Sequence, residues 1–133
     1  MKEIDTLFLV DDDDTYQFIV QRTLSSINLV KSIRIFSNGR EAINFLESSI
    51  GDPNLIPDVI LLDLTMPIMD GWQFLENYIL LKPRLGKRVH IYVVSSSVDP
   101  SDVERAKNIS EVSDYIVKPI TKQKLISLLS SLS

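Results

Sequence analysis

Short runs of apolar, β-branched residues recur along this chain at separations that leave room for one helix between each pair. They fall at Leu7 to Val10, Ile33 to Phe36, Val59 to Leu62, His90 to Val94 and Tyr115 to Val117, and runs of this length and content read as buried strands. The segments between them carry a helical period. In the first, Tyr16, Ile19, Val20, Thr23, Leu24 and Ile27 follow the i, i+3, i+4, i+7 spacing of one helix face. Asp14, with Gln17 three residues on, reads as its N-cap and capping box. Similar stripes are Ala42, Phe45, Leu46, then Phe74, Leu75, Tyr78, Ile79, then Val103, Ala106, Ile109, and last Leu125, Leu128, Leu129, Leu132. The chain therefore reads as five successive βα units. Near-continuously apolar strands alternating with amphipathic helices predict a parallel sheet covered on both faces, joined by right-handed crossovers.

Length and composition agree with one such unit. The 133 residues, 44% hydrophobic and 24% charged, suffice for one domain with a sizeable core, expected over residues 1–133. The net charge of −4 and the lack of any Lys/Arg block longer than Lys87-Arg88 give no footprint for nucleic acid. With no cysteine, disulfides and sulfur-ligated zinc are excluded. The early apolar run, Leu7 to Val10, is too short for a signal peptide or membrane span, so no membrane partner and a cytoplasmic location are expected.

In open parallel sheets, ligands bind at the carboxyl ends of the strands, where the strand order reverses. The first strand here runs into Asp11 and Asp12, the third into Asp63, the fourth into Ser95 and the fifth into Lys118. Each has an ordinary alternative as a cap, a turn residue or a surface side chain. Asp13 and Asp14 take that reading, and His90, at the start of a strand, reads as structural. Together the strand-end groups are another matter. Like charges about 4 Å apart repel by roughly 4 kcal/mol at an effective dielectric near 20, so carboxylates crowded at a buried edge call for water or a cation.

The stretches "LVDDDD", "LLDLTMPIMDGW", "VVSSSVDPSD" and "YIVKPI" resemble, in order and separation, the signature regions of response-regulator receiver domains. The likeness is to the single-domain chemotaxis type and covers nearly the whole chain. It implies a flavodoxin-like, doubly wound (βα)5 fold with strand order 2-1-3-4-5. It also implies phosphorylation on Asp63 by a histidine kinase or histidine phosphotransfer protein. In that resemblance Asp11 and Asp12 match the acidic pair that binds Mg²⁺ together with Asp63, and Thr65 supplies a main-chain carbonyl to the metal. Lys118 matches the family's lysine, Ser95 the switch hydroxyl and Tyr115 the switch aromatic. Counting back from Lys118 lands on Ser96 instead, whereas counting forward to Asp102 and the position directly after Val93 and Val94 favour Ser95. The Lys118-Pro119 peptide is expected to be cis. A receiver is not a stand-alone enzyme, although it takes part in its own phosphorylation and dephosphorylation. Its signal is expected to pass through the face of the fourth helix, fifth strand and fifth helix to a downstream protein the sequence does not identify.

Two rivals follow from the same residues. "DDDDT" satisfies the D-x-D-x-T pattern of haloacid-dehalogenase-like phosphatases, with Asp11 as nucleophile and Asp13 as acid/base. Against it, Lys118 follows Asp63 where those enzymes place their lysine before the later acidic motif, and no cap insertion is present. The second is a receiver-like binding module that is never phosphorylated, which the full residue set opposes.

Overall fold

The computed structural model describes residues 4–132. Five strands, β1 (Ile4–Val10), β2 (Val30–Phe36), β3 (Val59–Leu62), β4 (His90–Ser95) and β5 (Val112–Val117), alternate with helices α1 (Asp14–Ile27), α2 (Gly39–Ser48), α3 (Gly71–Leu85), α4 (Pro100–Lys107) and α5 (Lys122–Ser130). A short 3-10 turn, Pro53–Leu55, precedes β3. All neighbouring strands are parallel, in the order β2-β1-β3-β4-β5. The flavodoxin-like order expected from the sequence is the order found.

Strand alternation divides the core between the two sheet faces. Phe8 and Val10 of β1, Ile60 and Leu62 of β3 and Ile91 and Val93 of β4 point into one cluster with Ala42, Leu46, Phe74 and Ala106 of α2, α3 and α4. Leu7, Leu9, Val59, Leu61, Tyr92 and Val94 point the other way, against Val20 and Leu24 of α1 and Leu125, Leu128 and Leu129 of α5. Both faces are dry, which is why the central strands show no polar alternation.

The strand order reverses at β1: the chain leaves β1 for β2 on one side and returns to β3 on the other. Val10 and Leu62 are register partners, so the residues that follow them emerge side by side at the carboxyl edge. The Asp63 amide donates to the Val10 carbonyl at 2.9 Å, and the Asp11 amide to that of Phe36 at 3.0 Å.

Several local expectations are corrected. The strands β1, β2 and β5 begin earlier than their apolar runs, since Thr6, Lys31, Ser32 and Asp114 interrupt the pattern without breaking the ladder. The cap of α1 is Asp13, not Asp14: the Asp13 carboxylate accepts from the Tyr16 amide at 3.1 Å. Gln17 does not complete a capping box, because its side-chain amide donates to the Asp11 carbonyl. Ile19 is 53% exposed and Ile79 is also exposed, while Ile109 and Leu132 lie past the ends of their helices. The Lys118–Pro119 peptide is cis, as expected.

Candidate functional site

The carboxyl edge gathers the residues singled out at the strand ends. Asp11 is buried, 1% exposed, and its two oxygens are both engaged: Oδ1 accepts from the Asp13 amide at 2.9 Å, and Oδ2 lies 2.8 Å from Lys118 Nζ. Asp63, 7% exposed, accepts from the Leu64 amide at 2.8 Å through Oδ1 and lies 3.4 Å from Lys118 Nζ through Oδ2. Asp12 is exposed at the mouth of the same edge. One carboxylate oxygen from each of Asp11, Asp12 and Asp63 lies within 4.8 Å of the others, a grouping that could hold a metal ion.

Charge crowding shows in the electrostatics. Burial, and after it the Asp11 charge, push the Asp63 carboxyl above its ordinary range, against the pull of Lys118 and the Leu64 amide. Burial works against the Lys118 ammonium, yet the hydrogen bond to Asp11 and the charges of Asp63 and Asp11 outweigh it and raise its pKa. Lys118 is thus the fixed cation of the site, one ammonium facing two buried carboxylates.

The β3–α3 loop that carries Asp63 is tightly held. Asp70 caps α3 in a reciprocal capping box with Gln73. The Gly71 amide donates to the Leu64 carbonyl at 2.9 Å, and a Cβ at Gly71 would collide with the Asp63 carbonyl and come within 2.8 Å of Leu64 Cα. Only glycine lets α3 start this close to the acidic residue. The other end of the loop is pinned by the Gly39 amide, which donates to the Met69 carbonyl at 2.9 Å. Between the two pins, Pro67 and Met69 close a γ-turn over Ile68, whose φ is 69°. Thr65 is exposed in the same loop.

At the end of β4, Ser95 is 3% exposed whereas Ser96 is exposed, so Ser95 is the buried strand-end hydroxyl. Its carbonyl accepts from the Lys118 amide at 2.8 Å, joining β4 to the lysine-bearing end of β5. Its hydroxyl accepts from the Ser97 amide at 3.1 Å. Tyr115 is buried, and its hydroxyl donates to the Ser97 carbonyl at 2.8 Å. The Ser97 hydroxyl in turn donates to Asp102 of α4 at 2.7 Å. Ser97 therefore connects Ser95, Tyr115 and the first turn of α4, a role that its place in a serine run did not reveal.

Family comparison agrees with this geometry: the model of the response regulator receiver domain matches residues 7–130. The chain belongs to the response regulator receiver domain family. Among solved structures, this receiver is similar to a two-component response regulator from Cytophaga hutchinsonii, with 27% identity, a TM-score of 0.88 and coverage of 98% of each chain. A response regulator receiver protein from Dyadobacter fermentans is 33% identical with a TM-score of 0.82, covering 96% of this chain and 97% of that one. The two-component response regulator ORR1 of Oryza sativa subsp. japonica is 30% identical over 86% of this chain, which spans 49% of the ORR1 length.

The phosphatase alternative loses its second residue here. Asp13 is exposed and its carboxylate caps α1, so it does not face Asp11 as an acid/base would. His90 lies at the opposite, amino end of the sheet, its amide bonded to the Asp58 carbonyl at 2.9 Å. Two residues escaped the sequence reading for a common reason. Tyr16 and Gln17 look like ordinary first-turn helix residues, yet Gln17 holds the Asp11 main chain, and the Tyr16 ring lies 4.3 Å from Lys118 Nζ. Only the fold of the β1–α1 loop brings them there.

Proposed function

We propose that this receiver accepts a phosphoryl group on Asp63 from a phosphohistidine of a histidine kinase or histidine phosphotransfer protein in the cytoplasm, and passes the change to a downstream protein. The observation that carries this reading is the pair of buried carboxylates, Asp11 and Asp63, at the ends of adjacent strands with Lys118 between them. In the transfer the phosphorus–nitrogen bond of the donor breaks, a phosphorus–oxygen bond to the Asp63 carboxylate forms, and the donor ring, already protonated on its other nitrogen, leaves as neutral imidazole.

An anionic carboxylate must meet an anionic phosphate, so the protein's work is positioning and charge neutralisation. The donor set suits a hard divalent cation: three carboxylates within 4.8 Å, with neither sulfur nor imidazole. Asp11, Asp12, Asp63 and the main-chain carbonyl of Thr65 would hold Mg²⁺, which when bound offsets the charge between carboxylate and phosphate. Lys118 supplies a point charge to a phosphoryl oxygen, and its short bond to the buried Asp11 keeps it at the edge until then. Ser95 offers a hydroxyl to another phosphoryl oxygen. Drawing Ser95 toward the phosphate disturbs its bond from Ser97, and through Ser97 the contacts to Tyr115 and α4. The α4-β5-α5 face is thereby the output surface, a charge event acting on packed elements.

Intact-mass measurement with acetyl phosphate and Mg²⁺ tests the reading. The wild type gains one phosphate mass, labile to hydroxylamine, and Asp63→Asn gains none. Labelling that persists in Asp63→Asn and vanishes in Asp11→Asn would support the phosphatase chemistry instead.

A further inference from the structure

Tyr16 has no place in the strand-end set, yet its ring forms one wall of the site. Lys118 Nζ is 4.3 Å from the ring centroid, on a site where the same atom is 2.8 Å from Asp11 and 3.4 Å from Asp63. The ammonium is thus held by carboxylates on one side and by a π face on the other, a contact that strengthens as water is removed. The ring is anchored to the acidic loop, because the Tyr16 amide donates to the Asp13 carboxylate at 3.1 Å. The hydroxyl contributes nothing comparable. It is buried and among the described residues has no hydrogen-bond partner, and burial together with the Asp11 charge pushes its pKa up to about 12, the nearby Ile120 amide only tempering this.

We infer that Tyr16 is a positioning residue for Lys118, its ring face keeping the ammonium at the sheet edge when a divalent cation takes over the Asp11 carboxylate. The inference rests on the reading of Asp63 as phosphoacceptor. The shortest contact of Lys118 is to Asp11, one of the three carboxylates of the candidate metal cluster. A cation bound there draws on the same carboxylate that now holds the lysine. Lysine is a hydrated point charge on a flexible stem, and once released it would swing toward water. A π face is uncharged, so it attracts the ammonium without competing for the metal's ligands. The aromatic ring, and not the hydroxyl or mere apolar bulk, is what this role demands. Tyr16 also packs against the α1/α5 core, so bulk must be separated from ring face by the choice of variants.

The test uses the full chain labelled with ¹³C-lysine, with the Lys118 signal assigned by its loss in Lys118→Arg. A methylene held over an aromatic face is shifted upfield by the ring current. The Lys118 ε-protons are expected upfield of the other lysines in the wild type, and to stay there in saturating Mg²⁺. Tyr16→Phe retains the shift, and Tyr16→Leu loses it. In acetyl phosphate labelling, Tyr16→Leu slows by about 2- to 30-fold, the range for contacts of this class. Tyr16→Phe restores the rate, and in a Lys118→Ala background Tyr16→Leu has no further effect. Loss of the upfield shift when Mg²⁺ binds the wild type overturns the inference, as does a Tyr16→Phe variant that behaves like Tyr16→Leu. So does a Tyr16→Leu effect undiminished without Lys118. A wild type that takes no phosphate overturns the Asp63 reading alone, since the lysine signals still decide the part played by Tyr16.

Discussion

Lys118 is bonded more closely to Asp11 than to Asp63, at 2.8 Å against 3.4 Å. The lysine thus neutralises the carboxylate that ends β1 and only leans toward the one that ends β3. One ammonium for two buried carboxylates leaves a net negative site, with Asp12 adding a further charge at its mouth. This imbalance sets up the first prediction.

Millimolar Mg²⁺ is expected to raise the melting temperature of the wild type. A ligand at one hundred times its dissociation constant stabilises by about 2.7 kcal/mol. Asp12 is exposed, so Asp12→Asn changes metal-free stability by no more than about 0.5 kcal/mol, yet it removes most of the Mg²⁺ effect. Thermal melts of both proteins with and without the ion check this. An equal Mg²⁺ shift in the two would remove Asp12 from the metal site.

The second prediction concerns the far end of the sheet, where Asp58 pairs with Lys87 at 2.9 Å and accepts from the amides of Asp5 and Thr6 at 2.9 and 3.3 Å. Burial opposes its charge, but the Lys87 hydrogen bond and the two amides prevail and hold the carboxyl below its ordinary 3.8. A carboxyl that titrates lower in the folded than in the unfolded chain stabilises fully above the unfolded value, and that contribution fades as pH falls through the folded one. Asp58→Asn is expected to cost about 1 kcal/mol at pH 7, since the pair is partly open to water. Urea melts should show the gap between wild type and variant closing below pH 3.8.

Much of this arrangement was legible in the sequence because buried parallel strands have no polar face: each run of β-branched residues marks its strand, and the first polar residue after it marks the carboxyl edge. Asp11, Asp63, Ser95 and Lys118 follow directly. Edge positions were harder, since Lys31 and Ser32 in β2 face water and break the apolar run. Asp13 and Asp14 are both acceptable caps by residue type, and only backbone geometry separates them: Asp13 is extended, with φ −88° and ψ 108°. The contacts of Tyr16 with Lys118 and of Ser97 with Tyr115 join residues from separate loops. No local pattern encodes them.

Ile68 provides a third prediction. It is a β-branched residue at φ 69°, 79% exposed, in the loop between Asp63 and α3. The centre of a γ-turn at positive φ is strained by about 1–3 kcal/mol for a residue with a Cβ, most of all a β-branched one, and asparagine enters positive φ more readily than isoleucine. No burial offsets the strain here. Ile68→Asn should therefore raise stability by about 1 kcal/mol in denaturant melts without slowing acetyl phosphate labelling of Asp63. A destabilised variant would show that the isoleucine makes contacts that outweigh its backbone cost.

The last prediction follows the chain of bonds from Ser95 through Ser97 to Tyr115 and Asp102. If Asp63 and the α4-β5-α5 face are coupled, a downstream partner and phosphorylation must strengthen each other by the same free energy, commonly about 1–3 kcal/mol. Beryllofluoride, standing in for the phosphoryl group, is expected to shift amide NMR signals from Val103 to Ile109 and at Tyr115, as well as in the loops around Asp12, Asp63 and Lys118. Tyr115→Phe removes the donor to the Ser97 carbonyl, at a cost of about 1 kcal/mol in stability. In that variant the loop signals should respond to beryllofluoride as before, while the response of Val103 to Ile109 shrinks. The division matters, because the loops surround Asp63 itself, whereas Ser95 is joined to α4 through Ser97 and its bond to Asp102. Wild-type changes confined to the loops would mean that the receiver takes up phosphate without relaying it through this face, as a phosphate sink would.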